Sequence, residues 1–403
     1  MTPPRRLVVV GASLAGVRAV QAAREAGFTG HVVLVGAEEH LPYDRPPLSK
    51  SFLEATAEPA APAFRSGGFL RHQLGVDLRL GAPATGLDTV ARTVTVAGVP
   101  LGYDRLVIAT GAQARRLPGA GRLAGVHTLR TLDDARAVRR ALHAGARTVV
   151  VGAGFIGSEV ASSARKRGLP VTVVEAAPTP LARAIGEVTG TALAALHAAN
   201  GTVLRCGVTV TGLEGDGRVE RVLLSDGTVL PADLVVVGVG AVPVTGWLAG
   251  SGLVVRDGVV CDRTLATSAA GVYAAGDVAR WWNPLFGRYL RLEHWTSAAE
   301  QGVVAARNAV SEKDAEPYET VPYFWSDWYG TRIQFVGVPE GDHVESFGGD
   351  DRFVALYRDG DRLAGALAVN RPSLTMKYRA LIRRRAGWAE ALELAARGRA
   401  AAR

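Results

Sequence analysis

Thr148-Val149-Val150-Val151-Gly152-Ala153-Gly154-Phe155-Ile156-Gly157 is the stretch that decides the fold of this chain. Four strand-forming residues run into a glycine turn. Ser158–Lys166 then has helical spacing, Gly168 closes it, and Val171–Val174 is a second β-branched run. Strand, glycine turn, helix and strand make a βαβ unit with a right-handed crossover. In such a turn the first glycine permits the tight bend and the second lets backbone amides approach a pyrophosphate. The third lets the helix pack closely on the strand, with its N-terminus facing the phosphates. Glu175 ends the second strand 23 residues after Gly152, where a carboxylate accepts both ribose hydroxyls of a dinucleotide.

The same unit occurs earlier in the chain. Leu7–Val10 lead into Gly11-Ala12-Ser13-Leu14-Ala15-Gly16, an Ala-rich helical pattern over Val17–Ala26, Gly27, and the run His31–Val35. A repeat at this distance predicts two separate nucleotide-binding lobes. The first unit departs from the pattern twice. Ser13 stands at the middle glycine, and Gly36-Ala37 follow the second strand, so Glu38 is the nearest acid and the expected ribose ligand. A third glycine feature, Val272-Tyr273-Ala274-Ala275-Gly276-Asp277, ends a strand in small residues and a carboxylate, where ligands of α/β proteins bind. Leu106–Gly111 ends a strand similarly through Ala109, Thr110 and Gly111. A helix is expected from about Thr296 to Val310, after Glu293-His294-Trp295. Linkers are read at Ala114–Gly121 and at the glycine-rich crossing that contains Gly238 and Gly240.

Composition narrows the possibilities. With 403 residues, 48% apolar and 21% charged, the chain suits two or three domains with sizeable cores rather than disorder. No apolar run reaches the roughly 18 residues that a membrane span needs, and nothing resembles a signal peptide, so a cytoplasmic protein is expected. Cys206 and Cys261 cannot build a disulfide framework or a cysteine-cluster metal site, and the eight histidines form no H-x-x-H pair, so no metal is predicted. The net charge is +8, and only four of the 46 basic residues are lysines. Because the arginines are spread along the chain without interleaved aromatics, nucleic-acid binding is rejected.

VVVGASLAG, LPYDRPPLSK (Leu41–Lys50), LVIATGA, VVVGAGFIGSEVA, VYAAGDVA, LEHWTSAAEQG and VPYFWSDWYG (Val321–Gly330) together carry a resemblance that runs end to end. The chain resembles the FAD-dependent NAD(P)H:ferredoxin reductases that feed bacterial oxygenases, the group of putidaredoxin reductase and biphenyl-dioxygenase reductase. The resemblance implies an α/β fold with two Rossmann-like dinucleotide-binding domains, glutathione-reductase-like, and a C-terminal α+β interface domain. It implies an FAD domain from 1–111 and 243–317, an NADH domain over 112–242 and the interface domain over 318–403. The tail from Arg383 to Arg403 reads as a surface helix or a frayed end.

The resemblance also implies the site. Lys50, stiffened by Pro46-Pro47, would sit beside the flavin paired with Glu159, near the nicotinamide, and stabilise charge on the reduced ring. Trp295 would open a helix whose amides face the flavin. FAD would further be held by Gly11, Ser13, Leu14, Ala15, Gly16, Glu38, Arg45, Ala109, Thr110, Gly111, Arg130, Gly276, Asp277, Glu293, His294 and Trp325. NADH would be held by Gly152, Gly154, Phe155, Ile156, Gly157, Glu159, Glu175, Arg183, Gly238, Gly240 and Glu293. Glu175 predicts NADH over NADPH, which Arg183 could soften. The redox C-x4-C of related disulfide reductases is missing, so electrons must leave the flavin directly.

Two activities follow. In one, electrons pass from NADH through FAD to a small acidic iron–sulfur ferredoxin that supplies a P-450 or Rieske oxygenase. In the other, a flavin reductase acts on a small molecule or a rubredoxin. The expected state is a monomer or weak homodimer, and Arg288, Arg291 and Arg332 are expected to rim the docking face.

Overall fold

The computed structural model describes residues 4–119, 121, 123–311 and 315–400, with side chains to 397. It divides into two compact units: Met1–Asp44, Ala61–Gln113 and Val242–Thr320 form the first, and Arg45–Ala60, Ala114–Ala241 and Val321–Arg403 the second.

In the first unit, five parallel strands lie in the order Val272–Ala274, Arg105–Ile108, Arg6–Val10, His31–Val35, Val76–Arg79. The central residues Val8, Val9, Val33, Leu34, Leu106 and Val107 are fully buried, as a sheet covered on both faces requires. Helix Leu14–Glu25 packs against helix Trp295–Val310. Their approach is close enough that a Cβ on Gly302 would lie 2.3 Å from the Ala15 carbonyl oxygen.

The second unit contains the same sheet again, in the order Val126–Thr128, Leu234–Val237, Thr148–Val151, Val171–Glu175, Val203–Cys206, all parallel. Position by position the two sheets correspond. The one difference is chain order: Val126–Thr128 precedes its βαβ unit, whereas Val272–Ala274 follows its own.

A five-stranded antiparallel sheet completes the second unit, ordered Tyr323–Trp328, Thr331–Gly337, Arg362–Val369, Arg352–Asp359, His343–Gly349. Helix Pro372–Arg383 packs on it. The residues 318–403, expected as a domain apart, are gathered largely with the dinucleotide sheet. Phe324, Trp328 and Phe335 share one core with Leu181, Ile185 and Leu193. The tail is helical over Trp388–Ala400, and Arg384 pairs with Glu390; residues 401–403 lie outside the described residues.

Two further differences from the sequence reading have clear causes. The glycine-turn helices begin at Leu14 and Phe155, earlier than Val17 and Ser158, because the third glycine of each turn already belongs to the first helical turn. Residues 45–60, expected with the first unit, are gathered with the second. Arg139 donates to the carbonyls of Ala55 and Thr56 at 2.9 and 3.0 Å. Arg167 donates to Leu53 and Ala55 at 2.6 and 2.7 Å, and Lys166 pairs with Glu54 at 2.9 Å.

Candidate functional site

The two glycine turns are built by the same backbone logic. Gly11 N donates to Val35 O, and Gly152 N donates to Val174 O, each at 2.7 Å. Both first glycines have positive φ, +122° and +101°, which disfavours any side chain there. A Cβ on Gly11 would meet the Ala109 oxygen at 2.0 Å, and one on Gly152 would meet the Gly238 oxygen at 2.5 Å. The third glycines are equally closed: a Cβ on Gly16 or Gly157 would strike the carbonyl of Gly11 or Gly152 at about 2 Å. Gly154 differs, because its nearest neighbour would be 3.8 Å away. The middle position therefore faces open space, which is also why Ser13 fits at the matching place in the first turn.

No side chain caps either helix at Ser13 or Gly154. The leading amides of Leu14, Ala15, Phe155 and Ile156 are thus presented at the turn, the arrangement that receives a phosphate. These cradles fit an adenosine diphosphate group in each unit.

Around the first turn, Glu38 accepts the Tyr43 hydroxyl at 2.5 Å. Thr110 Oγ1 donates to Val244 O at 2.9 Å, and Gly111, with φ +67°, carries the chain past it. Gly276 N donates to Gln301 Oε1 at 2.8 Å, holding the turn that carries the buried Asp277. His294 is pushed down to about 4 by burial, against the pull of Asp277. Trp295 starts its helix and is 38% exposed, and its Nε1 donates to Asp44 Oδ1 at 2.8 Å.

Arg291 is not the free rim charge expected of it. Its side chain is only 15% exposed; Nε pairs with Asp257 at 3.1 Å and Nη1 with Glu293 at 2.9 Å. It therefore fixes Glu293 instead of facing solvent. Arg332 is likewise engaged, with Nη1 on both Asp327 oxygens at 2.9 Å and its guanidinium 5.5 Å from the Trp325 ring.

In the second unit, Glu175 lies across the mouth of its turn. Oε2 accepts from Ala153 N at 2.6 Å and Oε1 from Ala177 N at 2.8 Å. Two backbone donors leave a carboxylate with further lone pairs for ribose hydroxyls. Cys206 stands opposite Glu175 in the sheet register, and burial together with that charge pushes its thiol up. Arg183 is exposed on the short helix Ala182–Ile185. Gly238 N donates to Val151 O at 2.7 Å, and Gly240, with φ +104°, accepts from Arg115 N through its carbonyl at 2.9 Å.

Lys50 and Glu159 meet: Nζ lies 2.8 Å from Oε1, with side-chain exposures of 20% and 3%. Two hydroxyls join them, Ser49 on Oε2 and Ser326 on Oε1. Arg45 Nη1 donates to Arg130 O at 2.6 Å, next to the helix that Thr131 and Asp134 open as a capping box. Trp325 stacks on Tyr323 at 5.9 Å.

The sequence reading missed Ser49, Ser326, Gln301 and Asp44. For Ser326 a signal existed, because Phe324, Ser326 and Trp328 alternate onto one strand face, leaving a lone polar residue between buried aromatics. Among the described residues no group of His, Cys, Asp or Glu is disposed to hold a metal, and no helix is long and apolar enough to cross a membrane.

Comparison with known proteins agrees with this construction. The family model for pyridine nucleotide-disulphide oxidoreductases matches residues 5–302, and the reductase C-terminal model matches 323–397. The ferredoxin–NAD(+) reductase component of the biphenyl dioxygenase system of Paraburkholderia xenovorans is 40% identical over 338 residues, 83% of this chain and 81% of that one. Putidaredoxin reductase of Pseudomonas putida is 36% identical over 377 residues, covering 91% and 89%. The crystal structure of the covalent putidaredoxin reductase–putidaredoxin complex superposes with a TM-score of 0.90 at 34% identity, covering 94% of this chain and 93% of that one.

Proposed function

The chain belongs to the pyridine nucleotide-disulphide oxidoreductase family, and from that premise we propose that it moves electrons from NADH through FAD to a small iron–sulfur ferredoxin serving an oxygenase. The observation that carries this reading is the duplicated cradle, one turn in each unit, with a strand-end carboxylate in the second. Relatives named as ferredoxin reductase components of dioxygenase systems support the choice of acceptor. When bound, FAD supplies the exchange between a hydride pair and single electrons.

The chain's own residues divide the work. The turn from Gly11 to Gly16, with Glu38, Ala109, Thr110, Gly111, Gly276 and Asp277, binds and orients the flavin dinucleotide. Gly152 to Gly157, with Glu175, Gly238 and Gly240, does the same for NADH. Lys50 holds a fixed positive charge for the reduced ring, and Glu159 holds Lys50. By resemblance to the ferredoxin reductases, Arg45, Arg130, Glu293, His294, Trp295 and Trp325 are assigned to FAD, and Arg183 and Glu293 to NADH.

Cys206 and Cys261 are free thiols without a C-x4-C spacing, so the relay typical of disulfide reductases has no counterpart and the acceptor must take electrons at the flavin. Two unpaired cysteines also suit the reducing cytoplasm, where we place the protein. The test is NADH-driven cytochrome c reduction with and without an added [2Fe–2S] ferredoxin. Strong dependence on the ferredoxin supports the reading. Equal rates with ferricyanide, quinones or rubredoxin and none with ferredoxins would assign a small-molecule or rubredoxin reductase instead.

A further inference from the structure

We propose that Ser326 is a positioning residue: its hydroxyl, aimed by the Trp328 indole, fixes the Glu159 carboxylate and through it the Lys50 ammonium. The inference rests on the reading of Lys50 as the flavin-side lysine, and it gives the antiparallel sheet a part in the chemistry beyond docking.

The direction of each hydrogen bond is forced. Trp328 Nε1 lies 2.9 Å from Ser326 Oγ, and an indole N–H only donates. Ser326 Oγ therefore accepts there, and its single proton goes to Glu159 Oε1, 2.5 Å away. That same Oε1 receives Lys50 Nζ at 2.8 Å, while Ser49 donates to Oε2. Glu159, Ser326 and Trp328 are all buried. Without Ser326 the carboxylate keeps only the Ser49 hydroxyl and the lysine itself as partners, so the angle at which it presents Oε1 to Lys50 is less constrained.

The strand that bears Ser326 is itself stapled to the Glu159 helix. Tyr329 N donates to Ser162 Oγ at 2.7 Å, and on the same helix Ser163 Oγ donates to Ser49 O at 2.8 Å. Strand, helix and lysine-bearing loop thus converge on one carboxylate. Ser326 sets its angle, because it is the donor whose own orientation is imposed by a third residue.

The chain's four lysines make the test direct. Full-length, FAD-loaded protein is treated with formaldehyde and cyanoborohydride, and methylation at each lysine is followed by peptide mass spectrometry. Ser326→Ala removes the donor; Ser326→Cys keeps nearly the same bulk with a much weaker one. Both should speed labelling of Lys50 by roughly 10- to 150-fold, the size of one hydrogen bond to a charged group. Lys166, at the end of the helix that carries Glu159 and paired with Glu54, should label at the wild-type rate, and Ser326→Thr should restore protection of Lys50. In stopped flow, Ser326→Ala should slow flavin reduction at saturating NADH with little change in NADH affinity. Wild-type labelling of Lys50 in both Ala and Cys variants overturns the proposal. So does a parallel rise at Lys166, which would show general loosening. Failure of the ferredoxin assay on the wild-type chain would count against the proposed function and leave this labelling result untouched.

Discussion

The Glu175 carboxylate accepts the amide proton of Ala153 at 2.6 Å, so the last residue of one strand is locked over the glycine turn that follows the neighbouring strand. A second bond, from Ala177 N, holds the other oxygen. The acid therefore cannot swing aside for a 2′-phosphate, and its charge opposes one.

This lock predicts NADH over NADPH. A well-bonded carboxylate against a mispaired charge differs by about 2–4 kcal/mol, hence about 30- to 1000-fold in kcat/KM. Glu175→Ser should erase most of that ratio, chiefly by lowering NADH efficiency. Steady-state kinetics with both coenzymes decide it, and equal efficiency in the wild type would remove Glu175 from its assigned role.

A methyl group at Gly302 should separate the two helices of the first unit. Its Cβ would sit 2.3 Å from the Ala15 oxygen, a backbone atom with no rotamer to relieve the clash. Gly302→Ala should cost about 1–3 kcal/mol, and because Ala15 belongs to the glycine turn proposed to hold FAD, FAD content should fall as well. Thermal unfolding and the flavin-to-protein absorbance ratio report the two effects. An unchanged melting temperature would contradict the packing.

Acid should weaken the second unit through His197. Burial pushes this imidazole down to about 4, with Nδ1 against the Tyr329 hydroxyl at 2.9 Å. In the unfolded chain it titrates near 6.5. Between those values the unfolded state binds the extra proton, so stability falls as pH drops from 6.5 toward 4, by up to about 3 kcal/mol. His294, in the first unit, is shifted in the same direction and weakens that unit with the same sign. Urea unfolding at pH 7 and pH 5 should show the loss, and His197→Gln should flatten part of it.

Arg291 belongs to the frame of the site. Arg291→Gln breaks pairs with Asp257 and Glu293 that are partly exposed, so a stability loss of about 1 kcal/mol is expected. FAD should also be released more readily, since Glu293 loses its tether. The ionic-strength dependence of ferredoxin reduction should match the wild type. A flattened salt slope with unchanged stability would return Arg291 to the docking face.

What the sequence disclosed was the part that backbone physics makes repetitive. The turns at Gly11 and Gly152 and the acid at Glu175 were legible because bends and close approaches demand those residue types, whereas the pairing of Lys50 with Glu159 was reached only through resemblance. The attachment of residues 45–60 was hidden, because arginines binding backbone carbonyls (Arg139 and Arg167) leave no pattern in a chain rich in arginine. Arg291 was misread for the same reason: composition marks it as basic, and only folding brings Asp257 to it. Ser326 was overlooked although strand alternation puts it on the buried face with Phe324 and Trp328, because alternation marks burial and not the carboxylate that the hydroxyl meets.

In the proposed function two electrons enter as a hydride and leave singly to an iron–sulfur protein. The most direct measurement mixes anaerobic protein, reduced by one equivalent of NADH, with excess oxidised [2Fe–2S] ferredoxin in a stopped-flow spectrophotometer. Flavin absorbance should return while two ferredoxins are reduced per flavin, at a rate that falls as salt rises. Flavin that stays reduced with every ferredoxin tried, yet reoxidises at once with ferricyanide, would contradict it.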